Sequence, residues 1–464
     1  MLAFSPLIRA LRGELAPAPA WAPAAGQIKQ ISHAAGYFGT NGGATLAEIS
    51  PQYQAWNPTA PSITLYGNGY GWGSYYSFCG SVFNTDTRQI VLFGAGHAAI
   101  NVCAPSCFDL TDLRWKWLDT PLPFDAFAQI ANDGITPWPA TQAATEVYYP
   151  PEQYNYAWGD LNGDWSGWPS GYGRPGKIQP VPIHSRAILA HVPASVCGNA
   201  KGALLNASGH GGLIANYSTG SHLFDYDTAS WSRDANWLAS YGGGRVFDAV
   251  TQKAIGFGNA TLASTTYLVY DFTTRTWSTR TATNSAIAGV DHGGNLIHEA
   301  SRLHICPQAA LSDGTPPGNG AGVYYKFHAT PIDAIVGTGS FSSSLLTVSA
   351  TTWPLTSLGN NRYMGWSYCP VDKCLYITNG EHNSNKYWRL APPVGATTQA
   401  EYLYGTWTLT EHTFTSGTIQ SPGTYTLRSM MFSRMQWDAL SKSFVFWPDS
   451  NTGPVQAWRP AGIS

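Results

Sequence analysis

This chain has little charge. Lysine, arginine, aspartate and glutamate make up 11% of its 464 residues and nearly cancel, to a net −2, where soluble domains average about 25%. Such a surface lacks the basic stripe that a phosphate backbone requires, so nucleic acid is not an expected ligand. Long apolar runs are missing as well. None approaches the ~18 residues of a spanning helix, and no membrane span is expected. A secretion signal is also lacking. The opening M-L-A-F-S-P-L-I-R-A-L-R-G-E-L breaks its apolar stretch at Pro6, Arg9 and Arg12, with no basic start and no long apolar core. It reads instead as a short amphipathic segment over residues 1–18, with an apolar side suited to docking on a partner. No G-x-S-x-G elbow, no G-K-[ST] phosphate loop and no short H-x-x-x-H or C-x-x-C spacing is present, and no cofactor is expected. The seven cysteines are an odd number, so at least one is free or pairs with another chain. Cys103 and Cys107 lie close in C-A-P-S-C, and Cys369 and Cys374 flank P-V-D-K, where they can face each other across a hairpin. Either pair is a disulfide candidate, although spacing alone does not establish a bond. Cys79, Cys197 and Cys306 read as buried strand or turn residues.

What the chain has in quantity is glycine (49), proline (31) and aromatic residues (13%, with 19 Trp and 25 Tyr). That mixture suits many short strands joined by tight turns. Its surface polarity must come from Ser, Thr, Asn and Gln. One eight-residue phrase recurs: F-D-L-T-D-L-R-W from Phe108, F-D-Y-D-T-A-S-W from Phe224 and Y-D-F-T-T-R-T-W from Tyr270, the last two starting 46 residues apart. A fixed period in that range marks repeated β-sheet blades. In each phrase the Asp (Asp109, Asp225, Asp271) is expected to bond turn backbone two residues on, and the Trp (Trp115, Trp231, Trp277) to pack between blades.

A second repeated element is a strand, a short polar turn and a second strand. It occurs six times, at Gly80–Gly94, Arg186–Gly209, Gly244–Gly258, Asn295–Cys306, Tyr363–Thr378 and Ser433–Trp447. Each alternates or runs apolar over four to seven residues, as buried strands do. The fold expected is all-β: a single β-propeller over residues 19–464 with six, or else seven, four-stranded blades. After the sixth hairpin only V-Q-A-W-R-P remains to build a blade. The N-terminal stretch P-A-W-A-P-A-A-G-Q-I-K-Q-I-S is therefore expected to supply the outer strand and close the ring, removing two exposed sheet edges. Residues of about 121–180 break the period. Their run Y-A-W-G-D-L-N-G-D-W-S-G-W-P-S-G-Y-G reads as an insertion on one face whose Trp158, Trp165 and Trp168 offer flat platforms to a sugar or a protein. A degenerate blade, or a cover for a sheet edge, is the alternative.

In a propeller the first strand of a blade begins, and the second ends, at the same end of the ring. Second strands run out toward His97, His210 and His382, and first strands are approached through His184, Arg186, His292, Arg362 and Arg428. These residues are expected to converge on one mouth. His97, His184 and Arg186 are the candidates for proton transfer and charge neutralisation, since an imidazole titrates near neutrality and a guanidinium clamps an anionic group. His210, His292, Arg362, His382, Arg428 and the three Trp are candidates for ligand contact. The competing reading makes each His a cap on a strand end. A three-His metal site is a further alternative that lacks spacing support.

The stretch I-V-L-F-G-A-G-H…F-D-L-T-D-L-R-W resembles the glycine-rich, late-Trp blade of kelch-like propellers in bacteria and phages, some of them similar to propeller polysaccharide (ulvan-type) lyases. That resemblance is clearest over the first three blades. It implies a central mouth whose His, Tyr and Arg carry out β-elimination on a uronic acid, with His97 and His184 beside Arg186 at comparable positions; no Tyr matches by motif. A glycan-facing composition without an export signal suits a virion protein, assembled in the bacterial cytoplasm and acting outside the next host cell. The expectation is thus a phage tail or tail-tip propeller whose partners are a host-surface polysaccharide and other tail proteins, or which serves as a structural module. The alternatives are a polysaccharide lyase and an intracellular interaction scaffold.

Overall fold

A computed structural model describes residues 17–32, 81–92, 105–118, 188–207, 220–236, 245–257, 266–284, 296–310, 324–350, 365–378, 383–420, 434–446 and 454–463. These residues form six small sheets. Strand β1 (Ile28–Gln30) comes first in the chain and joins the last sheet. The first blade is β2 (Val82–Asn84), β3 (Gln89–Leu92), β4 (Ser106–Asp109) and β5 (Arg114–Trp117). The second is β6 (Ile188–Val192), β7 (Ala203–Ala207), β8 (Gly220–Asp225) and β9 (Ser230–Asn236), with the one-turn helix α1 (Ala194–Cys197) between its first two strands. The third is β10 (Arg245–Asp248), β11 (Lys253–Phe257), β12 (Thr266–Asp271) and β13 (Thr276–Thr281). The fourth is β14 (Leu296–His298), β15 (Leu303–Ala310), β16 (Tyr324–Pro331) and β17 (Ser344–Leu345), with helix α2 (Ile332–Val336) before β17.

The fifth blade has an extra strand. The chain leaves β17 and runs directly into β18 (Thr347–Ala350), which lies parallel to β22 (Thr406–Thr413) at the blade's outer edge. Only afterwards does it enter β19 (Gly365–Cys369), β20 (Cys374–Thr378) and β21 (Lys386–Ala391), with helix α3 (Gln399–Tyr404) preceding β22. The sixth blade is β23 (Gln436–Asp438), β24 (Ser443–Phe446) and β25 (Gln456–Trp458), completed by β1. The innermost strands touch in the cyclic order β2, β6, β10, β14, β19, β23 and back to β2. The chain is a six-bladed β-propeller, and the choice between six and seven blades is resolved.

Ring closure follows the expected route. Ile28, Lys29 and Gln30 pair antiparallel with Trp458, Ala457 and Gln456. The N-terminal segment is also tied to neighbours on both sides. Gly26 exchanges backbone bonds with Arg459 and Thr415, the Ile28 amide donates to Ser416 O, and Trp21 Nε1 donates to Leu110 O of the first blade at 3.1 Å. Residues 1–16 and the stretch of about 121–180 lie outside the described residues.

The core sits between blades. Five apolar clusters each straddle one seam, joining the first blade to the second and so on to the sixth. Trp458 is the hub of the last of these. It is wholly buried and its indole meets Tyr376, Tyr387, Phe414 and Phe444 at 4.4–5.4 Å. A side chain of this size contributes roughly 1.5–3 kcal/mol by burial, plus about 0.5–1.5 kcal/mol for each well-placed ring pair. A blade therefore cannot stabilise itself alone; each buries its faces on its neighbours.

The Asp of the repeated phrase behaves as expected. Oδ1 of Asp109, Asp225 and Asp271 accepts from the amides of Thr111, Asp227 and Thr273, each two residues on, at 2.8–2.9 Å. Trp115 is buried against Phe108, and Trp277 packs on Tyr270 within the cluster between the second and third blades. The fourth and fifth blades lack the phrase because helices replace the turn. Helix α3 starts with a capping box in which Thr398 and Glu401 bond reciprocally, satisfying two orphan amides.

Gly417 tests the closure. Its φ is +81°, and a Cβ there would overlap the carbonyl oxygen of Ile28. Gly395 has a similar φ of +76° but opens into free space. Gly417→Ala is expected to lower the unfolding free energy by about 2–4 kcal/mol, through strain plus loss of strand pairing. Gly395→Ala should cost only about 1–2 kcal/mol. Urea unfolding of the two variants measures the difference.

Candidate functional site

The two ends of the ring are built differently. At one, the turn end, the first strand of each blade returns into the second and the third into the fourth. Except in the second blade, the first-to-second turn holds four residues, and its last is left-handed: Arg88, Gln252, Arg302, Lys373 and Lys442 have φ of 50–60°. Polar side chains at the ends of first strands cap these turns. Asn84 Oδ1 accepts from the Asp86 and Thr87 amides, Asp248 Oδ2 from Thr251, and Asp438 Oδ2 from the Ser441 amide.

The same strand-end residues reach across to the next blade. Asp438 holds Arg88 with both oxygens, at 3.2 and 2.8 Å, across the seam where the ring closes. Asp248 holds Arg302 likewise, at 2.9 and 3.0 Å. Asn84 Nδ2 donates to Lys201 O, and His298 Nε2 donates to Lys373 O at 2.8 Å. Four of the six seams thus carry a clasp from one inner-strand end to the following turn. Asp86 adds to the first of them by accepting from the Ala194 amide and bonding His191 Nε2 at 3.2 Å. Burial alone would raise the Asp248 pKa, but the Arg302 guanidinium and the Thr251 hydroxyl overcome it and hold the carboxyl below its usual range. Asp109 is held down in the same way, with Lys116 and Gln89 outweighing its burial. Carboxylates so engaged are turn caps and clasps; they have no proton or lone pair to spare for chemistry.

The other end is where second strands leave for third strands and where one blade passes to the next. All the candidate residues belong to these connections. His97 follows β3, His210 follows β7 and His382 follows β20. His184 and Arg186 precede β6, His292 precedes β14, and Arg362 precedes β19. Arg428 falls between β22 and β23, and Trp158, Trp165 and Trp168 fall between β5 and β6. All eleven lie outside the described residues. Among the described residues no group of three or more His, Cys, Asp or Glu is placed to hold a metal ion.

Several polar residues that matter in the described part were not singled out from sequence. Arg434, two residues ahead of β23 as Arg186 is ahead of β6, is wholly buried at the connection end. Beside it Gln436 Nε2 donates to Ser81 O at 2.9 Å, joining the sixth blade to the first. The only sequence signal was an arginine next to an apolar inner strand, and S-R-M-Q-W carries it as plainly as T-L-R does. His191 and His304 lie within strands and His298 closes β14 at the turn end, away from the connection-end positions that the sequence pattern singles out.

The cysteines need one correction. Cys369 and Cys374 do face each other in register across β19 and β20, but both are free thiols, as are Cys107, Cys197 and Cys306. Cys369 and Cys374 Sγ share Asp372 as a hydrogen-bonding neighbour. Cys107 and Cys306 are buried in strands, as a small apolar residue would be, whereas Cys197 is half-buried at the end of α1 rather than in a strand. Cys79 and Cys103 lie outside the described residues. Burial raises the Cys306 thiol to about 12 and the Cys197 thiol to about 11.

No protein-family model matches the sequence, and no curated protein matches it.

Two measurements check this division of the ring. Asp438→Ala leaves the Arg88 guanidinium and the Ser441 amide without their acceptor, and should cost about 2–4 kcal/mol in urea unfolding. Arg88→Ala should cost less, because Arg88 is about a quarter exposed and water replaces part of the pair. In the native protein Cys107 and Cys306 should resist a thiol-labelling disulfide reagent, since neither reaches water nor ionises at neutral pH; both should react fully once the chain is unfolded.

Proposed function

We propose that the chain is a rigid propeller that binds a host-surface glycan through the connection end of the ring, as part of a phage tail or tail tip. The observation that carries this reading is the contrast between the ends. Among the described residues, every ion pair between blades lies at the turn end, where short turns are tied down by clasps. The connection end has the long segments, and with them all eleven candidate His, Arg and Trp positions. A rigid ring that gathers loops of this composition at one end is the usual architecture of a binding site, with scaffold below and recognition in the loops. Trp side chains stack on sugar rings, His and Arg bond hydroxyl and carboxylate groups, and the low charge of the chain suits a neutral or weakly acidic polysaccharide. Attachment to a particle falls to the N-terminal segment, which joins the described part of the ring at the turn end through Trp21.

The test is binding of the full chain to purified host-surface polysaccharides, with Arg186→Ala, His184→Ala and Trp165→Ala as variants. Binding should weaken at least about tenfold in each variant while the unfolding midpoint stays unchanged. Unaltered affinity in all three would overturn the assignment of the mouth. The kelch-like resemblance supports a second outcome: absorbance growing near 235 nm with a uronate polysaccharide, lost in His97→Ala, would make the same mouth a lyase site.

A further inference from the structure

Three histidines are buried at seams of the ring, and each is positioned to stay neutral. His304, on β15, is fully buried with neither ring nitrogen hydrogen-bonded. It meets Tyr267 of the third blade edge-on at 5.4 Å and pairs in register with Thr330 and Ile297. The Tyr267 hydroxyl crosses the same seam to Thr330 at 2.7 Å. No charged group offsets the burial of this imidazole. His298, on β14 of the same blade, is fully buried and faces the fifth blade. Its Nε2 donates to Lys373 O while Nδ1 lies 2.7 Å from Ser301 Oγ, and Tyr368, Tyr402 and Trp407 surround the ring at 4.9–5.4 Å. The ammonium of Lys373 further disfavours a charge there. His191, on β6, faces the first blade. Asp86 bonds its Nε2, but its Nδ1 is buried without a partner beside Tyr226, whose hydroxyl is also buried and unpartnered.

We propose that these three imidazoles form an acid-operated release, in which their protonation loosens the seam between the first and second blades and both seams of the fourth blade while Arg88–Asp438 keeps the closing seam shut. A proton on His298 places a charge in a pocket walled by Tyr368, Tyr402 and Trp407, close to the Lys373 ammonium. On His304 it places a charge where nothing accepts a hydrogen bond. On His191 it strengthens the pair with Asp86 but gives Nδ1 a proton with no acceptor, so burial outweighs the carboxylate. The fourth blade is the most exposed to this effect because it bears two of the three.

The direction of the pH dependence follows from linkage. Burial holds His191 and His298 at about 4 and His304 at about 3, against about 6.5 for a free imidazole. Below pH ~6.5 the unfolded chain takes up protons that the ring does not, so stability is full above that pH and falls as pH drops toward 4. Each group raises the unfolding constant up to about tenfold per pH unit. Asp248 and the turn-capping Asp109, Asp225 and Asp271 are held below their usual range, so they titrate beneath this window. Glu299, on the turn beside His298, is pushed up by burial and by Asp248 and works weakly the other way. His412, partly exposed and stacked on Tyr387, adds a smaller effect of the same sign.

The experiment is urea unfolding of the full chain at pH 7.5, 6.0 and 5.0, for the native sequence, His304→Leu, His298→Gln and the double variant. The native unfolding constant should rise at least about 100-fold from pH 6 to 5, and the double variant should lose most of that rise. At pH 5, limited proteolysis of the native chain should cut first around residues 296–345. A rise below about tenfold, or a double variant with the native slope, overturns the proposal. If the variants do not fold, calorimetry of the native chain in buffers of different ionisation enthalpy counts the protons taken up on unfolding at pH 5.5. Two to three protons support the release, and fewer than one refutes it.

Discussion

The structure depends on burial between blades. No blade has an apolar interior of its own, and every large cluster joins two consecutive sheets. Such a stack is stable only if its first and last members also meet, and a pairing of just three residues per strand links β1 to β25. This pairing is short, but it is placed over Trp458, opposite Ile28, where five aromatic residues of the fifth and sixth blades converge. The closing strand therefore seals a densely aromatic seam of the ring. Gly26 and Gly417, both left-handed, let the N-terminal segment and the end of the fifth blade approach closely enough to share backbone bonds with it.

A chain this poor in charge must choose where to spend it. Here the ion pairs between blades gather at the turn end, as bonds from one inner strand to the next turn, alongside Asx caps on four-residue turns. The geometry explains why Asp, Asn and His recur at that position. Only a short polar side chain at the end of the first strand can cap its own turn and reach the following blade at the same time. Asp selects an arginine partner (Asp248–Arg302, Asp438–Arg88), whereas Asn84 and His298 select backbone carbonyls. At the four seams that carry one, this directional bond fixes the angle between blades, which apolar packing alone leaves soft.

Much of this was legible in the sequence. The six strand–turn–strand units, the Asp that bonds its own turn, the buried Trp115 and the origin of the closing strand all follow from local pattern, and local pattern survives into the fold. What depends on the relation of one blade to its neighbour was not legible. The clasps need the register of inner strands around the ring, which no periodicity encodes. Helices α2 and α3 replace the regular turn in the fourth and fifth blades, so the absence of the phrase there was itself a signal. The paired cysteines were correctly set face to face, but register does not decide oxidation. Of the candidate mouth, the sequence and topology together assign the connections to one end. The side chains within them lie outside the described residues.

On the glycan-binding reading proposed above, the contrast between the ends lets one ring be rigid and selective together. Among the described residues the turn end carries every ion pair between blades, whereas the seam bonds at the connection end, such as Gln436 to Ser81 O, join neutral groups. The buried histidines fit the same logic. A neutral imidazole at a seam supplies directionality without adding to the charge of the ring, and it does so only while it stays unprotonated. Under the proposed acid-operated release, the low charge of the chain and its response to acid are two consequences of one choice: to hold the blades together with neutral polar groups wherever a full ion pair is not used.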